Sequence, residues 1–414
     1  MWDERSKWRL PGSRVKREPA YERVLDRVFE RVRRLDGRLR AERQAAPDLL
    51  TRLLSHPHPR RLLMARNSER FCTAGLCEQL VEVSWEARFD LPSRTRNLAE
   101  LSVVIADRLQ AEVYGDYIVA DLRGRSLSHY GNALRILADL QGAAEALCEA
   151  ERQLERGSGE ALEWGFFLRM RANLARDLGN SEESEALVDE SIALYRSAGH
   201  EHEAGMSLLV KANLRSASED YPGEIRCLQQ ALQTIDLARE PRTRLIAVHN
   251  LAVSLHQQGR NAEALASLVR NRFLYFEFGD RTGLLLRLHW LEGMITRDLG
   301  RYEMAEGALR EARRGFLEAS MPYEVALVSL DLAQLYLQAG RSREVRDLAV
   351  EMAAFFRSRR IHRHALAAVL LFKEAAQRDE ATVGLIRRVY SLLERAQGRA
   401  DTSEPEAETP PAKV

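Results

Sequence analysis

His129–Ala150 reads HYGNALRILADLQGAAEALCEA, a stretch with no nucleophile beside a base, no cluster of metal ligands and no phosphate loop. What it holds is a turn residue, Ala138, feeding a helical run in which small residues recur at fixed offsets. The arrangement returns downstream as DLGNSEESEALVDES, SEDYPGEIRCLQQA, QQGRNAEALASLVRN, DLGRYEMAEGALREA and QAGRSREVRDLAVEM. Aligned on the turn residue, Ala138, Gly179, Glu219, Gly259, Gly300 and Gly340 stand 41, 40, 40, 41 and 40 residues apart. A second set of breaks at Gly199, Arg239, Gly279, Ser320 and Arg360 interleaves with the first, again 40 or 41 residues apart, so each repeat is two helices. Between breaks the apolar residues follow helical spacing, as in Leu284, Leu288, Leu291 and Ile295, or Leu327, Leu330, Leu332, Leu335 and Leu337. Glycine just past a helix supplies the left-handed cap, and Glu182, Glu183 and Glu303 suit the next N-terminus.

Composition agrees. Over 414 residues the chain is 45% hydrophobic and 30% charged, rich in Ala, Leu, Glu and Arg and poor in β-branched runs, the profile of long amphipathic helices and an all-α fold. Charge is uneven: residues 1–66 carry 18 Arg and Lys against 9 Asp and Glu, the remainder 44 against 52. Nearly all of the positive charge is Arg, a bias that a GC-rich bacterial genome produces without any function. The four cysteines, Cys72, Cys77, Cys148 and Cys227, form no CxxC pair; they are expected as reduced thiols, the last two as small packing residues in helices. No apolar run approaches the ~20 residues of a membrane span, and the first residues lack a signal-peptide core; a cytoplasmic location is expected.

The expected organisation is a basic, poorly ordered arm over 1–18 with Trp2 and Trp8, an N-terminal helical cap over 19–67, a divergent first repeat over 68–115, a repeat array over 116–398, and a disordered acidic tail over 399–414. The cap carries one apolar stripe, Tyr21, Val24, Leu25, Val28, Phe29, Val32, Leu35 and Leu39. Its basic excess also suggests a degenerate helix-turn-helix for DNA, but no short turn separates two helices there and the cap is preferred.

Within the repeats, Gly131, Leu134, Ala138, Ala143, Leu147 and Ala150 carry a family pattern, as do Ala252, Leu255, Gly259, Ala264 and Leu268, and Gly293, Gly300, Tyr302, Ala305, Leu309 and Ala312. The pattern resembles the tetratricopeptide repeat, best over 116–358. The unit is longer than the family's usual 34 residues, and roughly six added residues lengthen the helices by nearly two turns in total. Such long units are similar to those of kinesin light chains, spindle-orientation adaptors and bacterial peptide-responsive regulators. The resemblance implies a right-handed superhelical solenoid of antiparallel helix pairs, with the first helix of each pair on the inner surface and a protein or peptide as ligand.

Chemistry-bearing motifs are scarce. The histidine pairs His200/His202 and His362/His364 fall at breaks without a supporting acid or thiol, and HExxH, GxxxxGK[ST] and GxSxG are absent. No enzyme activity, cofactor or metal is expected. The inner register is more informative: Asn132, Asn173 and Asn213 share one slot in three consecutive repeats, followed by Val253, Met294 and Gln334. Asn is poorer in a helix than Ala by roughly half a kcal/mol, so either the amides bond neighbouring helices as part of the family pattern, or they form a ladder for the backbone of an extended peptide. Inner helices about 10 Å apart match three residues of extended chain at ~3.3 Å each. Arg125, Arg135, Arg169, Arg176 and Arg297 flank the ladder; they would favour carboxylate or phosphate groups, or else pair with neighbours such as Asp177 and Asp139. Downstream the register turns apolar, with Ile246, Val253, Trp290, Met294, Leu330 and Leu337 beside His249 and His256, as a greasy half of the groove or as core. The function expected is a non-catalytic adaptor for an extended, acidic peptide segment; the alternative is a peptide- or partner-sensing transcriptional regulator whose N-terminal segment touches nucleic acid.

Overall fold

The computed structural model describes residues 19–89, 91–279, 283–358 and 363–402. The basic arm, most of the acidic tail, Arg360 and His362 lie outside the described residues, as does the side chain of His364. Among the described residues there are twenty α-helices, one turn of 3-10 helix (Glu69–Phe71) and no strand. They fall into two compact units, the first ending at Glu203 and the second starting at Ala204.

The first unit opens on α1 (Pro19–Leu54), followed by α2 (His58–Asn67), α3 (Ala74–Ala87), α4 (Pro92–Arg108) and the single turn α5 (Ala111–Tyr114). The helix pairs α6 (Asp116–Ile136) with α7 (Leu140–Leu154), and α8 (Ala161–Asp177) with α9 (Ser181–Ser197), complete it. Helix α1 packs on α3, α4 on α6, and α6 on α8, so each pair closes the apolar face of the one before. Leu76, Cys77, Leu80, Leu98, Leu101 and Ile105 form one core, and Leu147, Leu154, Phe167 and Leu174 the next.

Helix α10 (Glu201–Ala217) spans the divide. The second unit continues with α11 (Tyr221–Thr234), α12 (Pro241–Gln257), α13 (Asn261–Arg270), α14 (Arg272–Phe278), α15 (Leu284–Asp298), α16 (Tyr302–Glu318), α17 (Pro322–Gln338), α18 (Ser342–Ser358), α19 (Arg363–Gln377) and α20 (Val383–Thr402). Its cores gather around Leu251, Leu268, Tyr275 and Leu288, and around Leu309, Phe316, Val328 and Leu330. Small residues let paired helices approach: a Cβ on Gly293 would stand 2.5 Å from the Leu309 side chain, and one on Gly131 2.9 Å from that of Leu147.

The turn register of the sequence is a backbone register. Ala138, Gly179, Glu219, Gly259, Gly300 and Gly340 all have positive φ, and Asp379 continues the series at 57°. Each closes its helix by a six-to-one hydrogen bond from the next residue, such as Asp139 N to Leu134 O at 3.0 Å, Asn180 N to Ala175 O at 2.8 Å and Arg301 N to Thr296 O at 2.9 Å. Of the second set of breaks, Gly199 and Ser320 are left-handed, whereas Gly279 has φ −73°.

Four expectations need correction. The stripe on α1 is not buried along its length: Leu35 and Leu39 pack with Tyr114 and Val119, but Val28, Phe29 and Val32 are 52%, 47% and 57% exposed. A 36-residue helix is about 54 Å long and outreaches the helices it packs on. The helix after Gly259 is broken at Asn271, whose amide bonds back to Ser267 O at 2.9 Å. Cys148 faces solvent and Cys77 is the buried thiol. His202 lies in the first turn of α10 rather than in a loop.

Candidate functional site

In the first unit the asparagine register sits where α6 meets α8. Asn132 is buried near the end of α6, and Arg135 one turn later folds back to donate to Asn132 Oδ1 from Nε (3.2 Å) and Nη2 (3.0 Å). Its Nη1 crosses to Asp177 Oδ2 on α8 at 2.5 Å, and Arg176 donates to the other oxygen of Asp177 at 3.0 and 2.8 Å. Burial would raise the Asp177 pKa, but hydrogen bonds from the two guanidinium groups outweigh it and hold the carboxyl below its ordinary 3.8. Asp139 caps α7 instead, accepting from Gly142 N at 2.9 Å. Asn173 donates its Nδ2 to Arg169 O, one turn back, at 3.1 Å. Asn213, in the second unit, is exposed.

Arg125, two turns before Asn132, pairs through both arms of its guanidinium with Glu163 on α8, with Nε to Oε2 at 2.9 Å. Burial opposes the charge, yet Glu163 prevails and the Arg125 pKa is raised. Beside this pair is a set of rings that sequence reasoning missed. His129 stacks on Phe166 with centroids 4.2 Å apart, and the edge of Trp85 from α3 meets both, at 5.7 and 5.5 Å. The Arg88 guanidinium lies over Trp85 at 3.8 Å, and that of Arg169 stands 5.5 Å from Trp85 and 5.2 Å from Phe166. Burial first, then the charges of Arg125, Arg169 and Arg88, press the His129 pKa well below 6.5. The available signal was spacing: His129 is three residues before Asn132 and Phe166 seven before Asn173, one helix face in each case. Trp85, in the weak first repeat, gave none.

In the second unit the register is built inward. Arg297 and Asp331 form a buried pair at 2.8 Å between α15 and α17, Trp290 donates to the other oxygen of Asp331 at 2.8 Å, and Asp298 takes the Arg297 Nε at 2.8 Å. Burial raises the Asp331 pKa against these partners. His249 bonds the Tyr275 hydroxyl at 3.1 Å and is pushed down to about 4 by burial, helped by Arg287. His256 meets Asn261 at 2.7 Å. Leu330 is wholly buried and Leu337 packs on the same core, whereas Ile246 is exposed and Val253, Met294 and Gln334 are half-buried. The apolar positions thus divide between core and surface. Among the described residues no group of three or more His, Cys, Asp and Glu could hold a metal ion, and no helix is long and apolar enough to cross a membrane.

No protein-family model matches the chain and no curated protein matches it. Solved structures do. A Signal Transduction ATPase with Numerous Domains from Pyrococcus horikoshii, which has a tetratricopeptide repeat sensor, overlays 83% of this chain on 52% of its own, with a TM-score of 0.55 and 14% identity. The chain has a tetratricopeptide-like repeat fold. Two further structures resemble the tetratricopeptide-like chain: a Rap protein complexed with competence and sporulation factor (15% identity, 78% of this chain, 88% of that one, TM-score 0.48) and NprR in complex with its cognate peptide NprX (17%, 80%, 95%, 0.39).

Proposed function

We propose that this tetratricopeptide-like chain is a non-catalytic adaptor that holds an extended, acidic segment of a partner protein. The observation that carries the reading is the pair Asn132 and Asn173 on neighbouring helices. Their internal bonds use Asn132 Oδ1 and Asn173 Nδ2, which leaves a donor on one and an acceptor on the other. A peptide backbone offers a carbonyl and an N–H in return, whatever its side chains. Around them two guanidinium groups, Arg135 and Arg176, share one carboxylate, Asp177, so the surface keeps positive charge for an acidic segment. Arg297 is committed to Asp298 and Asp331 and serves to position α15 against α17. The tetratricopeptide repeats of the Pyrococcus protein are a sensor, which accords with ligand binding by such a surface.

The test is selection of 12-residue peptides by the full chain from a display library, followed by affinity measurement on Asn132→Ala/Asn173→Ala. Alanine recovers roughly half a kcal/mol of helix propensity at each position. Against that stands the loss of the two Arg135 hydrogen bonds to Asn132 and the one from Asn173 to Arg169 O, at about 1 kcal/mol each, so stability should fall by about 2 kcal/mol and leave the chain folded. Selected peptides should bind the double variant at least tenfold more weakly; equal affinity for both proteins sinks the ladder.

A further inference from the structure

Arg169 is 5% exposed, and its Nε and Nη1 are buried without a hydrogen-bond partner. At the α6–α8 junction Arg125 has Glu163, and Arg135 and Arg176 have Asp177. Arg169 has ring faces instead, with its Cζ 5.2 Å from the centroid of Phe166 and 5.5 Å from that of Trp85. Rings attract a cation but accept no N–H hydrogen bond of ordinary strength, so the donors of a guanidinium held between them stay unsatisfied. A buried ion normally has both a counter-charge and partners for its protons. Of the nearby charges, Arg88 on Trp85 at 3.8 Å and Arg125 beside His129 are of the wrong sign, and the carboxylate of Glu163 is held by Arg125.

We infer that Arg169, framed by Trp85, Phe166 and His129, is the seat of an oxyanion brought by the ligand: a carboxylate of the bound segment enters beside the rings and takes the unsatisfied N–H groups of the guanidinium. This rests on the peptide-adaptor reading and names the residue that reads acidity within it. The planar fork of arginine suits two parallel hydrogen bonds to such a group. The backbone carbonyl of Arg169 already receives Asn173 Nδ2 at 3.1 Å, so the seat and the amide pair are joined through one helical turn. Arg135 and Arg176 share the single carboxylate of Asp177, and the positive charge left over sets the field around it.

The test uses the full chain in low salt with three probes: acetylated hexaglutamate amide, its hexaglutamine counterpart, and inorganic phosphate. The variants are Arg169→Met, Arg169→Lys and, as a control, Arg152→Met, which removes an exposed arginine of α7. Hexaglutamate should bind the wild type and the control alike, Arg169→Met at least tenfold more weakly, and Arg169→Lys in between. Arg169→Met should melt at or above the wild-type temperature, because a solitary buried charge has been replaced by an apolar chain of similar reach. A melting temperature well below wild type would mark the guanidinium as a structural support and overturn the inference. So would equal hexaglutamate affinity for wild type and Arg169→Met, equal wild-type affinity for hexaglutamine, or no response to either anion. If phosphate raises the melting temperature of the wild type but not of Arg169→Met while neither peptide binds, the oxyanion seat stands and the peptide-adaptor reading fails.

Discussion

At the scale of the residue, burial and charge combine into pH dependence. His129 is held neutral in the fold well below 6.5, while the same imidazole in the unfolded chain takes a proton near 6.5. The unfolded state then binds more protons, so stability is full above 6.5 and falls as the pH drops below it. His129→Phe, which keeps a ring on Phe166, should reduce the slope of unfolding free energy between pH 6 and 5 by up to about 1.4 kcal/mol per pH unit, measured by urea titration. Asp177 has the opposite origin and the same direction: its folded pKa lies below 3.8, so its contribution is present above that value and is lost as the pH falls through the folded pKa. Asp177→Asn should therefore flatten the acid limb below pH 4, and an unchanged limb would show that the two arginines do not stabilise it. Of these groups only Asp177 was legible as a partner from the sequence, because it follows Arg176 directly. Glu163 and Asp331 stand 38 and 34 residues from the arginines they hold, separations that periodicity alone does not pair.

At the scale of the element, the turns explain why so much of the fold was readable. A helix that ends in a left-handed residue favours glycine there, and a fixed helix length repeats the glycine at a fixed interval. Ala138 and Glu219 occupy that conformation, with φ of 62° and 58°, where Gly179, Gly259, Gly300 and Gly340 stand in the other copies. Ala138→Gly and Glu219→Gly should each stabilise the chain by about 0.5 to 1 kcal/mol, the left-handed penalty less the added entropy of glycine. Gly300→Ala should cost about as much; chemical unfolding of the three variants decides both signs. What the pattern did not reveal was local. The break at Asn271 between α13 and α14 carries neither glycine nor proline, and helical spacing on α1 marks an apolar face without marking where its covering ends. The cluster of Trp85, His129 and Phe166 draws on three helices, one of them in the copy that fits the repeat least, so no single periodicity contains it.

At the scale of the whole molecule, the basic excess of residues 1–66 is the feature that most invites a nucleic-acid partner. On α1 much of it is answered locally, since Arg34, Arg38 and Arg40 pair with Glu30, Glu42 and Asp36 four residues away, and Arg43 reaches Glu78 on α3. The full chain is therefore expected to leave a fluorescent DNA duplex unbound in an anisotropy titration at physiological salt. Binding that weakened by more than tenfold between about 50 and 200 mM salt would restore the regulator alternative. The ties between copies bear on how such an array can change over generations. Arg125 reaches Glu163 across 38 positions, Arg135 reaches Asp177 across 42, and Trp290 reaches Asp331 across 41. Deleting one 40-residue copy by unequal recombination would keep every helix in phase, yet strand a guanidinium or a carboxylate at the junction, at a cost of about 3 to 5 kcal/mol for a buried one. The copies match in length without being interchangeable, and loss or gain of one is opposed by the charges its neighbours already hold.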